Sequence, residues 1–219
     1  NRIVGYANAD LAAGGSVAPA IVLTGPAIDD GSVPGVRELA FDDAGNLWAG
    51  HIARDRVMRF NAAAIAASGE PVPSVTIQGT SVSAPEALAF DNAGNLWVSG
   101  GGDAIVMFAA GRLGADVTTA ADVAIRGMRP GAAPLGAAAA MAFDAANNLW
   151  AAHFATGIVA RYTPADRAAS ADVMPAVRLT TPVDVVLVDI AIDEAGGLWF
   201  TGAVNRVGRV PPTELGVSG

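Results

Sequence analysis

One pattern, written four times, decides most of what this chain can fold into. LAFDDAGNLWAGH (Leu39–His51), LAFDNAGNLWVSG (Leu88–Gly100), MAFDAANNLWAAH (Met141–His153) and IAIDEAGGLWFTG (Ile190–Gly202) superimpose along their length. Their tryptophans, Trp48, Trp97, Trp150 and Trp199, are separated by 49, 53 and 49 residues. A fixed period of roughly 40–50 residues means that each copy is one supersecondary unit, and that its apolar faces are buried against its neighbours.

Two further motifs follow at regular offsets. RVMRF (Arg56–Phe60), AIVMF (Ala104–Phe108), IVARY (Ile158–Tyr162) and RVGRV (Arg206–Val210) form one set, with RIVGY (Arg2–Tyr6) as a fifth copy. IVLTG (Ile21–Gly25), VTIQG (Val75–Gly79), VAIRG (Val123–Gly127) and VRLT (Val177–Thr180) form the other. Each repeat therefore reads as four short strands: LAFD, NLWAG, RVMRF-like and VTIQG-like. Gly45, Gly94 and Gly196 suit a left-handed position in the turn between the first two strands, with Asn147 as the next-best residue in the third copy. The preceding Asp42, Asp91, Asp144 and Asp193 are placed to close that turn through their carboxylates. Strands apolar on both faces are awkward on a half-wet sheet but fit sheets sandwiched between neighbours. The predicted fold is all-β, a β-propeller of about sixteen short strands in four-stranded blades, with residues 1–219 as one propeller domain or a propeller fragment. The small residues Ala40, Ala89, Ala142 and Ala191 are expected where blades crowd near the axis. The segments Asn61–Ser68 and Thr163–Ala169 read as a helical turn or as loop.

Composition excludes whole classes of function. The net charge is -8 and all 13 basic residues are arginine, so there is no basic footprint for nucleic acid and no polybasic patch for an anionic membrane. Without lysine there is no Walker-type phosphate loop and no Schiff-base chemistry. Without cysteine there are no disulfides, thiolate nucleophiles or Cys-ligated zinc. No apolar run is long enough to span a membrane, and no nucleophile elbow, HExxH helix or dinucleotide loop occurs.

The pattern P-x-x-LAFD-x-AGNLW followed by NR-V-x-x-F resembles the NHL-type propeller repeat. The last copy, GLWFTGAVNRVGRV, resembles virginiamycin B lyase blades, and the repeat is more distantly similar to gluconolactonase-like propellers. The resemblance covers nearly the whole chain and implies the scaffold; propellers carry many unrelated functions. It also implies an acidic residue three positions after the strand-two aromatic. Here those positions hold His51, Gly100, His153 and Gly202, so the lyase pattern does not carry over residue by residue.

In such a propeller the loops after strand two and before strand one share one face, around an axial funnel, where ligands commonly sit. His51 and His153 fall there. They read either as metal ligands or acid/base groups, or as loop histidines inherited through duplication. A divalent metal would need carboxylates to complete its shell; Glu38, Glu86, Asp103 and Asp189 are the candidates. The tryptophans are expected to pack between blades, and Arg2, Arg56 and Arg206 to brace strands through backbone carbonyls.

Two functions fit these residues. One is a non-catalytic binding or scaffold propeller, extracytoplasmic or secreted, taking a protein or small-molecule ligand at the funnel face, with no nucleic acid and no membrane insertion. The other is a metal-dependent lyase or lactonase-type hydrolase working in the axial funnel. The first blade lacks strands one and two and the last lacks strand four. The chain is expected to begin after a processed or untraced segment, and to be a piece of a larger propeller or to close by pairing its two ends or another copy. Pairing would make Ile21–Gly25 the fourth strand of the last blade and leave Arg2–Tyr6 redundant. Self-association through the open blade edges is the other way to cover them.

Overall fold

The computed structural model describes residues 1–13, 15–180, 186–203 and 205–216. The LAFD and NLW motifs pair as hairpins and the third and fourth motifs add outward. The result is four consecutive sheets, all antiparallel within the repeat. In chain order the elements are β1 (Ile3–Gly5), α1 (Asn8–Ala13), β2 (Ile21–Leu23), β3 (Val36–Phe41), β4 (Leu47–His51), β5 (Arg56–Phe60), β6 (Val75–Gln78), β7 (Ala87–Phe90), β8 (Leu96–Ser99), β9 (Ala104–Phe108), β10 (Val123–Arg129), β11 (Ala133–Pro134), β12 (Ala138–Phe143), β13 (Leu149–His153), β14 (Ile158–Tyr162), β15 (Ala171–Val173), β16 (Val177–Thr180), β17 (Leu187–Ile192), β18 (Leu198–Gly202) and β19 (Arg206–Val210). The complete blades are β3–β6, β7–β10 and β12–β13–β14–β16; β17–β19 is three-stranded, and β1–β2 supplies strands three and four of a partial blade. The fold is thus the nearly all-β propeller architecture. No helix among the described residues is long and apolar enough to cross a membrane.

The turn between strands one and two is a knot tied by one carboxylate. Asp91 Oδ1 accepts the Ala93 and Asn95 backbone N–H groups, while Oδ2 accepts the Asn95 side-chain amide and the Trp97 indole N–H. Asp42 and Asp144 repeat the arrangement. In the last sheet Gly197 replaces the asparagine, and Arg209 Nε takes the vacant place on Asp193. Gly45, Gly94, Gly196 and Asn147 all hold positive φ, between 60° and 79°, as the turn requires.

Sheets stack through their tryptophans. Trp48, Trp97 and Trp150 are buried in three successive inter-sheet cores, so β4, β8 and β13 are buried along their whole lengths. The alanines of strand one have a more specific reason than axial crowding. Ala40, Ala89, Ala142 and Ala191 are the direct cross-strand partners of the four tryptophans, and a small side chain makes room for an indole. Arg59 and Arg161 lie over Trp48 and Trp150 and donate to the Leu113 and Leu215 carbonyls of the next blade. Methionine, Met107, holds the equivalent place in β9, and Arg167 comes in from the following blade instead. Its guanidinium centre sits 4.8 Å from Trp97 and 4.9 Å from Phe143.

The rim is stitched as well. The connection between strands three and four of each blade runs parallel to the outer strand of the blade before it: Gly69 with Leu23, Val117 with Ile77, and β15 with β10. With β11, this accounts for a strand count above sixteen. Two local readings are corrected or refined. Ile21–Leu23 pairs with Ile3–Gly5 rather than with β19, because a partner 16 residues away in the same segment costs far less closure entropy than one at the opposite end of the chain. Asn61–Ser68 contains a short 3-10 turn, Ala62–Ile65, and Thr163–Ala169 is a turn.

Candidate functional site

Strand one begins, and strand two ends, on the same face of the arc. There Arg37, Glu86, Ala139, Phe154, Val186, Leu187, Val188 and Ala203 surround a cavity of about 240 Å³. Three of these positions share one cause. A β-bulge interrupts the pairing of strand one with strand two between Val36 and Glu38, between Ala138 and Ala140, and between Leu187 and Asp189. The extra residues are Arg37, Ala139 and Val188, each lining the mouth. Bulges commonly re-aim side chains in this way. The second blade has no bulge and contributes Glu86, whose carboxylate stands 3.7 Å from Arg37. Exposed Phe154, Val186 and Val188 make the rest of the mouth apolar.

One residue further along strand one lie Glu38 and Asp189, at the same repeat position in the first and last full-length inner strands. Burial first, and the charge of Asp189 second, raise the Glu38 carboxyl to about 7 against the opposing pull of Arg37. In the unfolded chain this group ionises near 4.5, so from there to about pH 7 the folded protein holds a proton that the unfolded one has lost. Stability is therefore lost as pH rises through that window. Glu38→Gln is expected to flatten it and to stabilise the protein at pH 8 by about 1–2 kcal/mol, a full shift discounted for partial exposure. Urea midpoints at pH 4.5 and 8 measure it; a variant that keeps the wild-type slope would rule Glu38 out as its source.

The two histidines do not face the mouth. His153 is fully buried in its sheet, with Nδ1 2.8 Å from the Gly136 carbonyl and Nε2 3.0 Å from the Tyr162 hydroxyl. Nδ1 carries the proton in that geometry and Nε2 accepts from tyrosine. Burial lowers the imidazole to about 4 and pushes the Tyr162 hydroxyl up. His51 is equally buried, between the first complete blade and the β1–β2 half-blade. Its ring nitrogens lack hydrogen-bond partners, and the nearest charge is Asp30, 3.7 Å away. Burial lowers its pKa against the pull of Asp30. Asp30 itself is held by the Ser32 N–H and by Arg54.

The metal constellation is therefore not assembled. The six candidates divide into Arg37-paired Glu86 at the mouth, Glu38 and Asp189 beneath it, His51 and His153 inside separate sheets, and Asp103 beside Arg126 in a different cavity. Among the described residues no group of three or more His, Asp or Glu side chains is placed to hold one ion, as convergence to about 2.0–2.6 Å would demand. Gly100 has its own reason for lacking a side chain: a Cβ there would lie 2.1 Å from the Ser83 carbonyl oxygen. Sequence reasoning missed the bulges, and with them Arg37 and Val188. The one available clue is the residue inserted between Val36 or Leu187 and the strict LAFD alternation.

No family model matches the chain, and no curated protein matches it. Solved structures do. A streptogramin B lyase is 14% identical over 83% of this chain and 56% of its own, with a TM-score of 0.54. The extracellular domain of BT4673 from B. thetaiotaomicron is 15% identical over 82% of this chain and 23% of its own, with a TM-score of 0.55. A virginiamycin B lyase from Staphylococcus aureus is 14% identical over 80% of this chain and 55% of its own, with a TM-score of 0.48. The chain is a β-propeller similar in fold to the streptogramin B lyase, and it spans about half that lyase's length.

Proposed function

We propose that this chain is a non-catalytic binding propeller of NHL-like type, taking a protein or small-molecule ligand at the axial mouth in an extracytoplasmic setting. The observation that carries the reading is the division of labour at the mouth. Exposed Phe154, Val186 and Val188 surround a single Arg37–Glu86 pair, while both imidazoles are withdrawn into the sheets. A mouth of apolar walls with one ion pair offers adhesion and orientation. The likeness to an extracellular domain supports the setting.

An apolar reporter dye, anilinonaphthalene sulfonate, tests the mouth. One site per chain is expected, weakened at least about tenfold in Phe154→Ser/Val188→Ser, because two apolar side chains contribute roughly 1.5 kcal/mol or more each. Dye binding that survives the double substitution would remove the mouth as the site. The lyase or lactonase reading keeps one supporting observation, a Glu38 carboxyl near 7 in the range of a general acid or base. Stoichiometric metal, with lactone turnover that disappears in His51→Ala/His153→Ala, would establish that reading instead.

A further inference from the structure

At the end of strand two, His51 and His153 give the first and third complete blades a buried imidazole, and the second blade has Gly100 in their place. Tyr162, which His153 meets in the core shared with the preceding blade, has Phe108 as its counterpart. The joint between the first two complete blades thus lacks both the imidazole and the phenol hydroxyl at this end, and a cavity of about 330 Å³ opens there. Val98, Ala104 and Val106 give it an apolar wall, and Thr80, Ser81 and Ser83 reach it from the connection between β6 and β7. Its charges are one carboxylate, Asp103, and one guanidinium, Arg126.

The two charges are close in the fold yet not spent on each other. Arg126 is the cross-strand partner of Ala104, the residue after Asp103. Its ion-pair contact is instead a loose one with Asp172, 3.7 Å away, and both of those side chains are about half exposed. Among the described residues Asp103 makes no ion pair and no side-chain hydrogen bond, the Thr80 and Ser83 hydroxyls have no protein partner, and the N–H groups of Gly102 and Asp103 have no acceptor. The frame that carries these idle groups is fastened all round. The Gly101 N–H donates to the Ser83 carbonyl, the Ala84 N–H to Asp55 Oδ1, the Glu86 N–H to the Ser99 carbonyl and the Val82 N–H to the Gly79 carbonyl. Ser81 Oγ accepts the Ala121 N–H, which leaves its own proton free to donate. Groups held in place this way lose little freedom when a ligand arrives.

We propose that this cavity binds a free aliphatic L-α-amino acid as its zwitterion. Arg126 and the N–H groups of the glycine loop take the carboxylate, in charge-assisted hydrogen bonds. Asp103 takes the ammonium group, the serine and threonine hydroxyls complete the shell of both, and the side chain lies along Val98, Ala104 and Val106. A simple anion or cation would satisfy one charge and leave the other facing its like, and a purely apolar ligand would strand both. A zwitterion supplies one of each. The volume is at the lower end of the roughly 300–1,000 Å³ of ligand pockets and suits a single amino acid rather than a chain. The cavity shares no lining residue with the axial mouth, so this site stands or falls independently of the ligand proposed there.

Titration calorimetry with three probes tests it: L-leucine, L-leucinamide, which lacks the carboxylate, and N-acetyl-L-leucine, which lacks the ammonium. One leucine per chain is expected, bound at least about tenfold tighter than either analogue, because each deletion removes a hydrogen-bonded charge. In Arg126→Gln leucine should weaken at least about tenfold and lose its advantage over leucinamide; in Asp103→Asn it should lose its advantage over N-acetyl-leucine. Phe154→Ser/Val188→Ser, at the mouth, should bind leucine as the wild type does. Near-ultraviolet circular dichroism checks that each variant is folded, and the two charge variants test the site separately. No leucine binding at tens of millimolar, analogues that bind as well as leucine, folded charge variants that keep the wild-type preference, or binding lost in the mouth variant would each overturn the proposal.

Discussion

Asp91→Ala is expected to cost about 3–5 kcal/mol in urea unfolding of dilute protein, and Asp193→Ala far less. The two residues hold the same place in the repeat. Asp91 is buried and accepts four hydrogen bonds, one of them from the indole of a buried tryptophan. It is also the nearest counter-charge to Arg167, which is itself only 5% exposed, with Nε already unpartnered. Alanine leaves the Trp97 N–H unsatisfied and takes from the guanidinium its nearest counter-charge in a dry joint, where each such loss is expensive. Asp193 serves Gly197, Trp199 and Arg209 on an open face, and water can replace it. Equal losses at the two positions would show that the knot acts only through turn conformation and not through burial.

Acidification from pH 6.5 to 4 is expected to remove about 3 kcal/mol through His153 alone. Its folded pKa lies at about 4 and its ordinary value at 6.5. Across that interval the unfolded chain binds a proton that the folded chain refuses, so stability rises with pH and is lost as pH falls. A proton on Nε2 would face the Tyr162 hydroxyl inside the sheet, with no carboxylate to receive it. His51, also lowered by burial, adds to the same arm. The turn carboxylates act in a separate window. Burial pushes the Asp42, Asp91 and Asp144 carboxyls up, but their several hydrogen bonds together outweigh it and hold them below 3.8, so their contribution disappears only as pH falls beneath that value. His153→Gln keeps a donor and an acceptor in the ring's place. In a Glu38→Gln background, which removes the opposing arm over the same range, urea midpoints between pH 4 and 7 should become distinctly flatter when His153→Gln is added, and an unchanged slope would place the acid sensitivity elsewhere.

The strands were legible because each motif repeats at positions where only pairing explains it: LAFD and NLW align as β3 with β4, β7 with β8, β12 with β13 and β17 with β18. The turn aspartates and packed tryptophans followed from known preferences of those side chains. Their hydrogen bond to each other did not, because an indole N–H six residues away has no local signature. The expected Arg56 brace exists, to the Ala27 carbonyl, but Arg167 was invisible; it matters only because Met107 leaves Trp97 without the arginine that covers Trp48 and Trp150. The histidines were misplaced for a similar reason. Their spacing put them at a strand end, and whether a strand-end side chain points to the funnel or into the sheet depends on packing. Helix α1 carries no periodic apolar face that the sequence could have announced.

The carboxylate knots also say something about how the chain reaches this shape. Each one links residues at most six apart, from Asp42 to Trp48 or from Asp91 to Trp97, so a hairpin can set its own geometry before any long-range contact exists. Every sheet then packs chiefly on the one before and the one after it. A chain organised this way has no single obligatory nucleus. Growth can begin at any hairpin and spread in either direction, as nearest-neighbour repeat arrays do. Its unfolding spreads from sheet to sheet, and the joint around Trp97 and Arg167, packed on both sides, resists opening longest.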